Sequence, residues 1–209
     1  MTELKRALLV VDVQPTFCEG GELGVEGGNA VAEAIGTFVQ QYGDQYALIV
    51  TTQDWHIEPG PHWSEQPDYV DTWPVHGKAG TPNAQLHPAI AALGLDHHIK
   101  KGQYCAAYSG FEGIEDNTDD VPTREQVQAH ASQTLEQLLR DHDITSVDIM
   151  GIALSHCVRD TALDAQRLGF ETRVYTDLSV PVSVELGEQA VQRMAQSGIT
   201  LLEGDEYVD

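Results

Sequence analysis

A single cysteine, Cys157, stands where an apolar run gives way to an amphipathic one in SVDIMGIALSHCVRDTALDA, residues 146–165. A thiol at a helix start is placed for nucleophilic chemistry. The free N–H groups of the first turn and the positive end of the helix dipole favour the thiolate, and they can stabilise an oxyanion formed beside it. Such a nucleophile needs a base within hydrogen-bond reach. His156 is adjacent, but residues i and i+1 of a helical turn do not face each other, so a His156–Cys157 dyad is not expected. Asp12 ends the first expected strand and Lys101 the third, and they offer an alternative. Asp12 could accept the thiol proton, while Lys101 would hold Asp12 ionised and lower the thiol pKa. An ordinary Asp12–Lys101 ion pair is the competing reading of those two residues. A second constellation runs Asp54-x-His56-x5-His62-x13-His76. One carboxylate and three imidazoles suit zinc, Fe(II) or manganese with positions open for water or substrate, although the spacing follows no zinc-finger pattern.

Short apolar runs alternating with amphipathic ones must position these groups. Ala7–Val13 (ALLVVDV) reads as a strand buried on both faces, followed by a helix capped by Asn29 and running to about Gln41. Strands are expected at Tyr46–Thr52, His97–Lys101, Val147–Ala153, Thr172–Thr176 and Ile199–Leu202. Helices are expected at Ser132–Arg140, from near Cys157 to about Leu168 with Gly169 as its stop, and at Val184–Gln196. The alternation predicts βαβ units: a three-layer α/β/α fold around a central, mostly parallel sheet. In such sheets ligands bind beyond the carboxyl ends of the strands, which is where Asp12, Asp54, His56, Lys101 and Cys157 all fall. Ile57–Pro88 has no periodicity and is a candidate site loop, whereas Ile114–His130 is acidic and reads as a surface excursion.

The chain has 209 residues, with 33 acids against 11 bases and a formal net charge of −22. That surface repels nucleic acid and anionic membrane, so neither is an expected partner. An acidic, lysine-poor composition resembles that of halophile proteins, in which salt screens the self-repulsion. No apolar run approaches the ~20 residues of a membrane span, and the first is too short for a signal sequence. Three cysteines without a C-x-x-C spacing suggest neither a disulfide framework nor a thiolate zinc site, and a reducing cytoplasm is the expected setting. Cys18 and Cys105 are expected to behave as small buried or half-buried hydrophobes. The histidines outside the 54–76 constellation are expected on the surface or as caps. A single domain over residues 1–209 is the economical reading, with the oligomeric state left open.

At these residues the chain resembles the nicotinamidases, cysteine amidohydrolases of the isochorismatase-like superfamily. The likeness runs through VVDVQPTFCEGGELGV (10–25), QDWHIEPGPHWSEQPDYVDTWPVHGKAGT (53–81), KGQYCAAYSGFEG (101–113) and GIALSHCVRDTALDAQRLGFETRVYTD (151–177), nearly the whole chain. It implies an isochorismatase-like hydrolase fold and a catalytic triad of Asp12, Lys101 and Cys157. It implies an oxyanion hole from the N–H groups of Ala153 and Cys157, with a cis peptide joining Ile152 to Ala153. It also implies one divalent metal on Asp54, His56, His62 and His76, zinc first with iron or manganese as alternatives. Phe17, Trp73, Tyr108, Ile152 and Ala153 would surround a pyridine ring. The implied activity converts nicotinamide and water to nicotinate and ammonia through a thioester, a step of NAD salvage. A related amidohydrolase acting on another amide or carbamoyl substrate is the competing enzyme reading. A catalytically silent small-molecule or metal-binding protein is the reading from a different class. The segment after Gly113 is longer than in compact nicotinamidases, and a solvated insertion is expected there rather than a lid over the pocket.

Overall fold

The apolar run at residues 7–11 has no polar side to turn to water. In the computed structural model of the chain, which describes residues 5–129 and 132–203, it is the fully buried core of the central strand β1 (Arg6–Val11). The elements then follow as α1 (Gly28–Tyr42), β2 (Leu48–Asp54), α2 (Pro88–Ala91), β3 (His97–Lys101), β4 (Ile114–Glu115) and α3 (Arg124–Ala129). After them come α4 (Leu135–Asp141), β5 (Ser146–Ile152), a π turn at Leu154–Val158, α5 (Arg159–Arg167), β6 (Glu171–Val180), α6 (Val184–Gln196) and β7 (Thr200–Leu202). The sheet order is β4-β3-β2-β1-β5-β6-β7, parallel throughout except for the antiparallel β3–β4 edge. Alternate side chains of β1 serve two cores. Leu8 and Val10 pack with α1 and α2, whereas Ala7, Leu9 and Val11 pack with α4, α5 and α6. This is the expected three-layer α/β/α arrangement, each fully buried Leu or Val contributing about 1.5–3 kcal/mol through its apolar surface. Among the described residues no helix is long and apolar enough to cross a membrane.

Several boundaries differ from the sequence reading, each for a local reason. β1 stops at Val11 rather than Val13 because Asp12 takes a left-handed backbone, φ 49°, and leaves the sheet plane. Asn29 does not cap α1. The N-cap is Gly27, φ 85°, and the carboxylate of Glu19 accepts from the N–H groups of Gly27 (2.7 Å) and Asn29 (2.8 Å), a negative charge at the positive helix end. β2 runs on to Asp54, and β6 is ten residues long rather than five. The expected 132–140 helix starts at Leu135, where a Thr134–Gln137 capping box sets its first turn. The short α2, α3 and β4 were not expected. Gly169 (φ 86°) does end α5, with Phe170 N–H returning to Ala165 O at 3.1 Å.

The acidic excursion is docked rather than merely solvated. Lys100 Nζ lies 3.7 Å over the Trp55 ring and donates to Thr118 O. Trp55 Nε1 donates to Asp120 O (2.9 Å) and Tyr104 Oη to Pro122 O (2.7 Å). Its His130 end lies outside the described residues.

Candidate active site

The parallel register brings the ends of four strands together. Val11 of β1 sits between Thr52 of β2 and Gly151 of β5, and Asp54 of β2 pairs with Lys101 of β3. Asp12, fully buried, is locked to the neighbouring strand: its N–H donates to Thr52 O (3.1 Å), and Thr52 Oγ1 donates to Asp12 Oδ1 (2.6 Å). Lys101 Nζ pairs with Asp12 Oδ2 at 2.9 Å and with Asp54 Oδ1, and it lies 3.8 Å from Cys157 Sγ. One buried ammonium thus touches the proposed base, a proposed metal ligand and the thiol. Gln14, which the sequence reading passed over, fixes Asp54 from both sides of its peptide. It accepts from Asp54 N–H (2.9 Å) and donates to Asp54 O (3.0 Å).

Cys157 is the fourth residue of the π turn that leads directly into α5, which begins near it, at Arg159, as expected. The Ala153 carbonyl accepts from His156 N–H (3.0 Å) and Val158 N–H (3.2 Å), skipping the N–H of Cys157 between them. Wide turns of this kind frequently mark functional sites because they free a backbone donor. The peptide bond from Ile152 to Ala153 is cis. Gly151 (φ 135°) is obligatory just before it, since a Cβ there would run into the Val11 carbonyl. His156 is not directed at the thiol: its Nδ1 bonds Ser155 Oγ (2.9 Å), and its ring faces Trp73 (centroids 5.6 Å) and Tyr108 (6.4 Å). It therefore lines the cavity, contrary to the expectation of a surface or capping role. His87 does cap, its side chain accepting from Ala89 N–H at the start of α2. Cys18 is buried as expected, but Cys105 is exposed.

Burial pushes the Cys157 thiol well above its ordinary range; Lys101 pulls it down, but the Asp12 and Asp54 charges raise it further. The expected lowering by Lys101 is present, but burial and the two carboxylates outweigh it. Burial also raises Asp12 despite Lys101, making it a stronger base than a free carboxylate. Burial alone would raise Asp54 too, yet Lys101, His56 and His76 together hold it well below the usual carboxylate range. Lys101 is kept protonated by Asp12 and Asp54, which outweigh its burial.

The donor atoms of His56, His62 and His76 lie within 4.8 Å of one another. Asp54 Oδ2 lies 3.4 Å from His56 Nε2 and 3.7 Å from His76 Nε2. His56 Nδ1 donates to Gly102 O (2.6 Å) and His76 Nδ1 to Pro74 O (2.7 Å). A carbonyl can only accept, so in both rings Nε2 is left with its lone pair free, as a metal requires. His56 Nε2 and His62 Nδ1 are buried without a hydrogen bond, a state that a bound cation would relieve. Burial keeps His76 low and brings His62 down to about 4, so both are neutral ligands at physiological pH. The residues fit a divalent metal.

Beside this cluster lies a cavity of about 500 Å³ walled by Phe17, Trp73, Tyr108, Ala153, His156 and Cys157, with Asp54, His62 and His76 at one side. Trp73 Nε1 donates to Tyr108 Oη at 3.0 Å and fixes both rings. Asp12, Lys101, His56 and Ile152 are fully buried and do not line it. A glycine-rich strap, residues 19–26, does line it, whereas the acidic excursion does not. The strap's GGELGVEGG spacing was the available signal, and its role was not read from the sequence.

The isochorismatase domain family matches residues 6–206. The nicotinamidase/pyrazinamidase of Mycobacterium tuberculosis is 42% identical over 197 residues, covering 94% of this chain and 98% of that protein. Among solved structures, the zinc complex of Pyrococcus horikoshii pyrazinamidase superposes with a TM-score of 0.76 at 30% identity, covering 96% and 99% of the two chains. The nicotinate complex of the L. infantum protein PnC1 gives a TM-score of 0.77 at 29% identity, covering 95% and 92%.

Proposed function

Because the chain belongs to the isochorismatase family, we propose that it is a nicotinamidase, hydrolysing nicotinamide to nicotinate and ammonia. The observation that carries the reading is one buried ammonium, Lys101, bridging Asp12, Asp54 and Cys157 beside a three-histidine cluster and an aromatic cavity. The similarity to a nicotinamidase/pyrazinamidase, and to a solved structure that holds nicotinate, supports the choice of substrate.

Phe17, Trp73 and Tyr108 hold the ring and exclude water. A divalent metal on Asp54, His56, His62 and His76, when bound, supplies a Lewis-acid point for the pyridine nitrogen. Asp12 takes the thiol proton, and the thiolate attacks the carboxamide carbon. Lys101 stabilises both anions in turn. The N–H groups of Ala153 and Cys157 receive the oxyanion, a donor pair of which each member is worth about 10²–10³ in rate. Asp12 returns the proton to the departing ammonia, leaving a nicotinoyl thioester on Cys157. Asp12 then activates water, which releases nicotinate and restores the thiol. His156 takes no proton in this scheme.

A carbamoyl or ureido substrate would leave the aromatic walls unused, so the pyridine carboxamide is preferred. The nitrogen-rich ligand set suits zinc, with iron or manganese as alternatives. The unpaired thiols support a reducing, cytoplasmic setting, and the −22 charge supports a high-salt origin. The direct test is ammonia release from nicotinamide with and without a chelator. Release that the chelator suppresses and the metal restores is the expected result; no release from the metal-loaded protein rejects the reading.

A further inference from the structure

Resting on the metal centre described above, we propose that its ion enters and leaves through a second opening, a groove on the outer side of His62, with His62 as the ligand that moves. The groove, of about 650 Å³, is lined by residues that include Glu58, Gly60, Tyr104, Cys105 and Arg124. Among the described residues, His62 is the one that lines both this groove and the substrate cavity, so it stands between them.

Three independent features make His62 the ligand that yields. His56 and His76 are each pinned through Nδ1 to a backbone carbonyl, at 2.6 and 2.7 Å, whereas neither nitrogen of His62 is hydrogen-bonded to another of the described residues. A ligand imidazole held by an outer carbonyl keeps its orientation, and one without that hold is freer to turn. His62 also sits on a single 3-10 turn, Gly60–His62, held by Trp73 N–H on the His62 carbonyl (2.9 Å), whereas Asp54 ends a strand of the sheet and His56 is bridged to Lys78. Finally, Gly60 at the start of that turn has φ 65° and open space beside it, so the turn has room to shift. Outward rotation of one ring opens the cluster to the groove, whose lining includes the carboxylates of Glu58 and Asp71. Substrate and metal then use separate doors.

The test measures zinc release from the zinc-loaded protein into a chromogenic chelator. Cys105→Trp and Ala106→Trp narrow the groove at exposed positions that take no part in catalysis; Val182→Trp narrows the mouth of the substrate cavity. Both groove variants are expected to slow release tenfold or more without changing the zinc content of the loaded protein. Val182→Trp is expected to leave release within twofold while raising KM. Slowing by Val182→Trp equal to or greater than that of the groove variants overturns the route, as does unchanged release in both groove variants. Failure to take up one zinc per chain overturns the metal centre and the route together; uptake with the wrong variant dependence overturns the route alone.

Discussion

Substituting alanine at Gly102 probes how tightly the fold tunes the proposed metal ligands. Gly102 follows Lys101 at the end of β3 with φ 73°, and its carbonyl accepts from His56 Nδ1 at 2.6 Å. A Cβ at this position would lie 2.7 Å from His56 Nδ1 and closer still to Cε1. Ordinary contacts between such atoms begin near ~3.5 Å, so the ring must retreat by roughly 1 Å and loosen its hold on the carbonyl. Loss of an outer partner of this kind lowers metal affinity by about 10–100-fold, or about 1.4–2.7 kcal/mol. The left-handed backbone costs the alanine about 1–2 kcal/mol of fold stability as well. Gly94→Ala separates the two effects, because Gly94 has φ 62° with nothing within 4 Å of an added Cβ. Thermal unfolding of the metal-free proteins should show similar losses for both variants. Competition titration against a chelator should show weakened metal binding for Gly102→Ala alone. Equal metal affinity in the two variants would refute the argument that contact with His56 reserves this position for glycine.

Three further outcomes follow from the same geometry. Deleting residues 116–123 uncovers Trp55 and removes the Lys100 acceptor, so Tm should fall while KM for nicotinamide stays within twofold; a larger KM change would mean that the excursion acts as a lid. His62 is depressed by burial to about 4 from an ordinary 6.5. A depressed group contributes its stability above the unfolded value and loses it as pH falls through the folded one. The metal-free protein should therefore lose stability between about pH 6.5 and 4, a loss that His62→Gln diminishes; an unchanged pH profile in that variant speaks against it. With a net charge of −22, Tm should rise from low to molar salt, and a flat or falling curve would contradict screening as a source of stability.

Those parts of the molecule governed by short-range pattern were legible in the sequence. α6 falls on its expected residues because a 3.6-residue period specifies the element locally, and β3 also falls on its expected residues although HHIKK has a single apolar residue, Ile99. The start of α1 was not legible because its capping carboxylate, Glu19, comes from ten residues before Asn29. The residues gathered at the strand ends were readable as a set, since the ends of parallel strands share one edge. The Asp12–Lys101 pairing was read as well, but that Lys101 also meets Asp54 was not, because it depends on β3 lying beside β2 in a particular register. That burial outweighs Lys101 at Cys157 was not legible either, because burial is a property of the packed site rather than of the motif. His156 was readable as a poor partner for the thiol from helix geometry, but its place on the cavity wall depends on Ser155, Trp73 and Tyr108.

The central claim is that Cys157 carries the acyl group. Mass spectrometry of the enzyme quenched during turnover of nicotinamide should find a nicotinoyl adduct on the peptide containing Cys157. Cys157→Ala should carry no adduct and release no ammonia while retaining its metal. Ammonia release that persists in Cys157→Ala would contradict the account.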